Sequence, residues 1–179
     1  MKVISIWQPF ASLLMHRHKI CETRTWPCPP ALIGQRIGIA STKVMKADQR
    51  AVITDPQLVA EYQRTGMPDI EELPHGCILG TVRIVSCEEI TARTLQIIPS
   101  NEYAFGFWEP GYWAWRTADP EIWKTPVPVQ GRQGIWDFND ETGAFQELQS
   151  PLGEAGTENV WGRNHPEGTP TLSGFSQKS

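Results

Sequence analysis

The chain has 179 residues, of which 40% are hydrophobic and 20% are charged, and its net charge is −4. This length suits one domain with its own core, and the composition is typical of a soluble globular protein. No apolar run approaches the roughly 20 residues of a membrane helix. Gln8 and Pro9 also interrupt the N-terminal apolar run that a secretory signal would need. The sequence therefore predicts a cytoplasmic protein without a membrane partner.

Charge is distributed unevenly along the chain. Residues 1–50 contain eight Lys and Arg residues against two acidic residues, whereas the remainder contains eight basic and eighteen acidic residues. A basic half joined to an acidic half favours an anionic ligand on one side. An ordinary solvated surface is the alternative interpretation.

The cysteines do not predict a metal centre. The four thiols form no CxxC pair, and we expect them to be reduced; they are Cys21, Cys28, Cys77 and Cys87. His16, His18 and Cys21 lack the tightly paired spacing that zinc sites usually show. The sequence therefore predicts neither a metal nor another cofactor.

In chain order, Val3–Trp7 predicts a short strand, and Pro9 is suited to the first turn of a helix. The helix has apolar residues at helical spacing on one face, and these are Phe10, Leu13 and Leu14. Ser12 falls on the opposite face. Ile20–Trp26 alternates as a second strand, which ends at a proline-rich segment.

Further strands are predicted at Gln35–Ala40, Cys77–Cys87, Tyr112–Arg116, Val127–Gln130 and Gly134–Phe138. Between them, Thr42–Thr65 predicts two helices broken at Asp55-Pro56, Gly80 predicts a bend, and Asn101–Glu109 is aromatic and irregular. This pattern predicts a mixed α/β fold in which a small curled sheet or barrel has helices at its openings.

The composition changes after Phe138. Residues 140–179 contain 17 Gly, Pro, Ser and Thr residues among 40 and few strong apolar positions. The sequence therefore predicts a domain over residues 1–139 and a poorly ordered tail over residues 140–179.

Three charged residues are expected to converge where the first helix meets the second strand. Glu22 and Arg24 project from one strand face, Trp26 continues that face, and Lys19 enters from the preceding turn. A carboxylate between two cations is held ionised and oriented, so it can accept hydrogen bonds from a base edge or act as a general base. The cations can hold phosphate or an oxyanion. A weak surface ion pair is the alternative.

The chain also has eight tryptophans. Most are expected to fill the core, while one or two near Glu22 could stack on a flat ring, as in proteins that hold single-stranded nucleic acid.

These motifs resemble the ASCH domain family, whose fold is similar to the PUA domain. The resemblance is carried by Ser5–Leu14 (SIWQPFASLL) and Lys19–Trp26 (KICETRTW) and extends over residues 1–138. Shorter matches are Arg36–Ile39, Gly76–Val82, Gly111–Trp115 and Pro126–Trp136. The resemblance implies a PUA-like small β-barrel with a cleft walled by the first helix and the following strand, and a role with RNA or a nucleoside.

Some members of this family are N4-acetylcytidine amidohydrolases that use a Lys, a Thr and a Glu, and others are thought to bind or cleave RNA. Lys19 matches the lysine, whereas Glu22 occupies the position of the threonine. Thr23 is adjacent but is expected to face the other way, and Glu102 is a candidate for the carboxylate. The histidine that many relatives carry near Ala40 is absent.

The leading hypothesis is an ASCH domain that binds RNA or a modified nucleobase in a cleft. Its predicted ligand-binding residues are Gln8, Lys19, Glu22, Arg24 and Trp26. One alternative is a hydrolase, acting on an acylated nucleoside or on RNA, with Lys19 and Glu22 as the catalytic pair. A second is a protein-interaction module that uses the tail.

Overall fold

The computed structural model describes residues 1–139, and the predicted tail, residues 140–179, lies outside the described residues. Six strands alternate irregularly with five helices. The strands are β1 Lys2–Ile6, β2 Cys21–Arg24, β3 Arg36–Ser41, β4 Cys77–Glu89, β5 Trp113–Pro128 and β6 Ile135–Asp137. The helices are α1 Phe10–Met15, α2 Ala47–Val52, α3 Pro56–Arg64, α4 Ala92–Ile97 and α5 Ser100–Ala104. The mixed α/β prediction is confirmed.

One curled sheet contains all six strands in the order β2-β5-β4-β3-β1-β6. Strands β1 and β3 are parallel, and the other neighbours are antiparallel. This arrangement of a curled sheet and helices is the predicted PUA-like fold. It places β2, which carries Glu22 and Arg24, at one edge of the sheet.

Helix α1 packs against β1, β3, β4 and β5 and fills the centre of the main core. All six of its residues are buried, so the expected polar face with Ser12 is wrong. Ser12 is accommodated because its Oγ accepts a hydrogen bond from Gln8 Nε2 at 2.8 Å, and its backbone N–H donates to Gln8 Oε1 at 3.1 Å. A buried hydroxyl with such partners avoids most of the cost of desolvation.

Strands β4 and β5 are both long and both irregular. The bend predicted at Gly80 coincides with a register shift between Ile78 and Gly80. Gly80 has φ +153°, and a Cβ there would lie 2.0 Å from the carbonyl oxygen of Glu121, so only glycine fits this approach of backbone to backbone. The two strands predicted at Tyr112–Arg116 and Val127–Gln130 are one continuous strand, β5, because further register shifts let it continue past Pro120.

Two helices near the site were not assigned from the sequence. Helices α4 and α5 lie in the segment after β4, and α5 overlaps the part of Asn101–Glu109 that was expected to be irregular. Both helices are short, at six and five residues, so neither gives a long apolar period to detect. Helices α2 and α3 confirm the break predicted at Asp55-Pro56.

Candidate functional site

The corner between α1 and β2 is fixed by backbone hydrogen bonds. The N–H groups of His18 and Lys19 both donate to the carbonyl oxygen of Leu13, at 2.9 and 3.2 Å. Arg17 adopts φ +63° in this turn. The chain therefore leaves α1 and enters β2 within a few residues, which brings Lys19 beside the strand that carries Glu22.

Helix α5 holds the same corner from the other side. The Glu102 carboxylate accepts from the N–H of Ile20 at 2.5 Å and of Cys21 at 3.2 Å. Asn101 Nδ2 donates to the carbonyl oxygen of His18 at 3.0 Å. Burial raises the pKa of Glu102, against the opposing effects of Lys19 and of these two N–H donors. Glu102 therefore serves the backbone of the corner, and its two oxygens are engaged.

Lys19, Glu22 and Arg24 meet in one chain of ion pairs. Lys19 Nζ lies 3.1 Å from Glu22 Oε2, and Arg24 Nε lies 3.1 Å from Glu22 Oε1. The side chains of Lys19 and Glu22 are 2% and 10% exposed, and that of Arg24 is 20% exposed. Two cations thus flank a single carboxylate, and the site carries an excess of one positive charge. This arrangement is not the weak surface pair that was the alternative interpretation.

Each cation has a further partner. Lys19 Nζ lies 5.1 Å from the centroid of the Phe10 ring, within the range of a cation–π contact. Arg24 Nη2 donates to the carbonyl oxygen of Ser5 at 3.0 Å, which ties β2 to β1. The buried Arg24 Nε makes no hydrogen bond, because its contact with Glu22 has the distance of an ion pair without the angle.

This charged cluster borders a cavity of about 110 Å³. Four aromatic rings line it, from Trp7, Phe10, Phe105 and Phe107. The Trp7 ring lies 4.7 Å from Phe10 in an edge-on arrangement and 6.3 Å from Phe107. Drug-sized ligands usually occupy about 300–1,000 Å³, so this cavity suits a single flat ring or a small polar group.

The structure brings together three of the five predicted ligand-binding residues and places the other two elsewhere. Gln8 is fully buried, and its Nε2 also donates to the carbonyl oxygen of Pro74 at 2.8 Å. Trp26 packs edge-on against Trp115, with ring centroids 4.7 Å apart. Neither residue lines the cavity. Gln8 instead contacts α1 through Ser12, and Trp26 contacts β5 through Trp115.

Most residues that line the cavity, including its four aromatic rings, were not assigned to the site from the sequence. Trp7 belonged only to the general expectation of stacking tryptophans, and Phe105 and Phe107 come from the loop after α5. Thr23, expected to face away, also lines the cavity, and its Oγ1 accepts from the Phe107 N–H at 2.9 Å. The sequence around Phe107 has no helical or strand periodicity that would predict its position, so its contact with β2 is found only in the folded structure.

The cysteines and histidines give no second centre in the part of the chain that the structure describes. All four cysteines are free, and burial raises the pKa of the Cys28 thiol to about 11. Residues 1–139 contain no group of three or more His, Cys, Asp or Glu side chains placed to hold a metal ion. Within the same residues, no helix has the length and apolar character needed to cross a membrane.

The fold is that of an ASCH domain. The ASCH domain model matches residues 4–111, and the chain belongs to this family. The crystal structure of an ASCH protein from Zymomonas mobilis has a similar fold, with a TM-score of 0.50 and 18% identity over 78% of this chain and 88% of that one. At this identity the likeness concerns the fold alone.

Two curated relatives share the domain at the level of sequence. Activating signal cointegrator 1 from Homo sapiens and from Mus musculus are each 26% identical over 144 residues, which is 77% of this chain. The matched region is 22% of each relative's length, so this chain spans about a fifth of the relatives that it matches.

Proposed function

We propose that this ASCH domain binds RNA or a modified nucleobase, with one base in the aromatic cavity beside Lys19, Glu22 and Arg24. The observation that carries the proposal is the pairing of both Glu22 oxygens with cations at the base of a cavity walled by four aromatic rings. Aromatic walls are how unstacked bases are usually held, because every base has a π-face.

The charged cluster supplies the polar part of recognition. Glu22 accepts from an exocyclic amine of the base, in a direction fixed by Lys19 and Arg24. Arg24, the most exposed of the three, contacts a carbonyl or a phosphate oxygen. Trp7 and Phe107 supply the stacking surface, in place of the predicted Trp26.

The cationic excess of the site agrees with the charge distribution of the sequence. Lys19 and Arg24 belong to the basic first 50 residues. After both cations have paired with Glu22, one positive charge remains in excess, so an anionic ligand is favoured over a cationic one. The acidic remainder of the chain contributes no carboxylate to the cavity lining.

The experiment is a titration of the full chain with nucleosides and short single-stranded RNAs, in which tryptophan fluorescence measures binding. We expect RNA binding that weakens as salt rises, because phosphate contacts release counterions. Trp7→Leu should weaken binding, whereas Trp26→Leu should lower stability. Absence of binding at low salt would contradict the proposal and would favour the protein-interaction alternative.

A hydrolase that uses the same cavity is the second candidate, and the position of Thr23 is the observation that favours it. A hydroxyl beside a lysine and a carboxylate is a possible nucleophile. However, Thr23 Oγ1 already accepts from the Phe107 N–H. We therefore expect no release of acetate from N4-acetylcytidine. Turnover that is abolished by Glu22→Gln while binding persists would establish the hydrolase instead.

A further inference from the structure

The cavity adjoins a larger groove at Gly106. This residue lines both the cavity and an open groove of about 590 Å³ that lies between α5 and the α2–α3 segment. Ala51, Thr54 and Gln57 form one wall of the groove, and Tyr103 and Ala104 form the other. The groove therefore adjoins the place where the base is proposed to bind.

Two aromatic rings stand exposed on the two sides of Gly106. Tyr103 in the groove lining is 48% exposed and Phe107 in the cavity lining is 45% exposed, although both are large hydrophobic residues. Exposed aromatic rings beside a nucleic-acid site are typical stacking platforms for successive bases. Tyr103, in α5, gives one platform to the groove, and Phe107, in the loop after α5, gives one to the cavity.

The charges near the groove include more cations than acids. Helix α2, whose Ala51 lines the groove, and the segment before it contain three exposed cations and one exposed acid, which are Lys43, Lys46, Arg50 and Asp48. Asp55 lines the groove, but its carboxylate accepts from the N–H groups of Gln57 and Leu58 at the start of α3. Taken together, Asp55 and these four residues leave an excess of one positive charge, and Gln57 in the groove wall is neutral.

Gly106, which belongs to both linings, packs closely against Trp108. A Cβ at this position would lie 2.6 Å from Trp108 Nε1, which donates to the carbonyl oxygen of Glu102 at 2.6 Å. A side chain at Gly106 would therefore disturb Trp108 and, through it, α5. The backbone of Gly106 is therefore held in place where the two linings meet.

We propose that this groove binds the nucleotides that flank the one in the cavity, so that the domain reads a single-stranded RNA segment and not an isolated nucleoside. The phosphate backbone crosses over Gly106, and the next base stacks on Tyr103. This inference rests on the proposed function, because the groove matters only when a base occupies the cavity.

The test compares the full-length chain with its variants, using the four nucleoside 5′-monophosphates and the four RNA homotetranucleotides as probes. Tyr103→Ala should weaken tetranucleotide binding by about five- to thirty-fold, the loss of one stacked base. It should leave monophosphate binding unchanged, and Tyr103→Phe should retain the tetranucleotide affinity. Ile97→Ala, at another exposed apolar residue outside the groove, is the matched control.

Two substitutions of opposite charge at Gln57 give an independent test. Gln57→Glu should weaken tetranucleotide binding and Gln57→Lys should strengthen it, with both effects fading at high salt. Glu near the start of α3 is favourable for the helix, so weaker binding by Gln57→Glu would not reflect unfolding.

The outcomes separate this inference from the proposed function. If the wild type binds neither monophosphates nor tetranucleotides, the proposed function fails. If it binds both equally, or if Tyr103→Ala weakens both to the same extent, the base site stands and the groove assignment is overturned.

Discussion

The Lys19–Glu22–Arg24 corner and the Arg36–Glu121 and Arg83–Asp119 pairs use the same chemistry in opposite surroundings. All four contacts join a cation and a carboxylate at 2.6 to 3.1 Å. The corner is buried beside a cavity. The outer pairs, on β3, β4 and β5, have side chains that are 34% to 51% exposed.

The two regions also differ in charge balance. Each outer arginine has its own carboxylate, and Thr81 Oγ1 accepts from Arg36 and donates to Glu121. At the corner, two cations share Glu22. Residue types alone therefore do not identify a site. Burial and an unbalanced charge, next to open space, distinguish the corner from an ordinary surface network.

The largest expected difference between the two regions is in stability. Glu22→Gln should lower the free energy of unfolding by about 3–5 kcal/mol, because it leaves Lys19 buried without its counter-charge. Glu121→Gln, at an exposed pair, should cost about 0–1 kcal/mol. Urea denaturation of the two variants gives the measurement. Equal losses would mean that the corner is energetically a surface pair.

The next difference is in RNA affinity. Arg24→Gln should lower the affinity for short single-stranded RNA about tenfold, since a hydrogen bond from a charged donor is lost. The same change should reduce the slope of log affinity against log salt concentration by about one, the value expected for the loss of one phosphate contact. Arg83→Gln is the matched control, and we expect its affinity to equal that of the wild type. An equal loss in both variants would show that only overall charge matters.

A smaller effect concerns pH and the carboxylate beneath the corner. Burial raises the pKa of Glu102 above its usual 4.5, so the folded state favours its protonated form. Its contribution to stability is complete below about pH 4.5 and is lost as pH rises through the folded-state pKa. The stability difference between the wild type and Glu102→Gln should therefore shrink with rising pH. A stability difference that grows with rising pH would instead mean that folding lowers the pKa of Glu102.

The smallest expected effect is that of removing the segment outside both regions. Truncation after Asn139 should change Tm by less than about 2 °C, because the composition of residues 140–179 offers little apolar area to bury. Differential scanning calorimetry of the two lengths is the measurement. A loss of several degrees would instead indicate that this segment docks on the domain.

The sequence could predict the corner because its three charges lie within six positions of one another. The period of a strand places Glu22 and Arg24 on one face, and a short turn brings Lys19 beside them. The strand–helix–strand order that carries these residues is likewise predicted by local sequence patterns. For these three residues, the arrangement predicted from neighbouring positions is the one found in the structure.

The walls of the cavity could not be predicted in this way. Phe107 reaches Thr23 across 84 positions, and Gln8 turns inward because Pro74, 66 positions away, supplies an acceptor. Partners this distant are set by how the sheet curls and not by any local period. The continuity of β5 was missed for a related reason, since its pairing with β4 continues past Pro120 through register shifts.

The pairing of β1 with β6 brings the first and last strands of the described residues side by side. The N–H of Phe138 donates to the Met1 carbonyl oxygen at 2.8 Å, and the Met1 amine donates to the Phe138 carbonyl oxygen at 2.8 Å. Lys2 and Asp137 form an ion pair across the same junction. A fold whose ends meet can be inserted into a host chain at one surface point without pulling the host's flanking segments apart. Fusion designs can therefore join both ends of residues 1–139 to a single host loop.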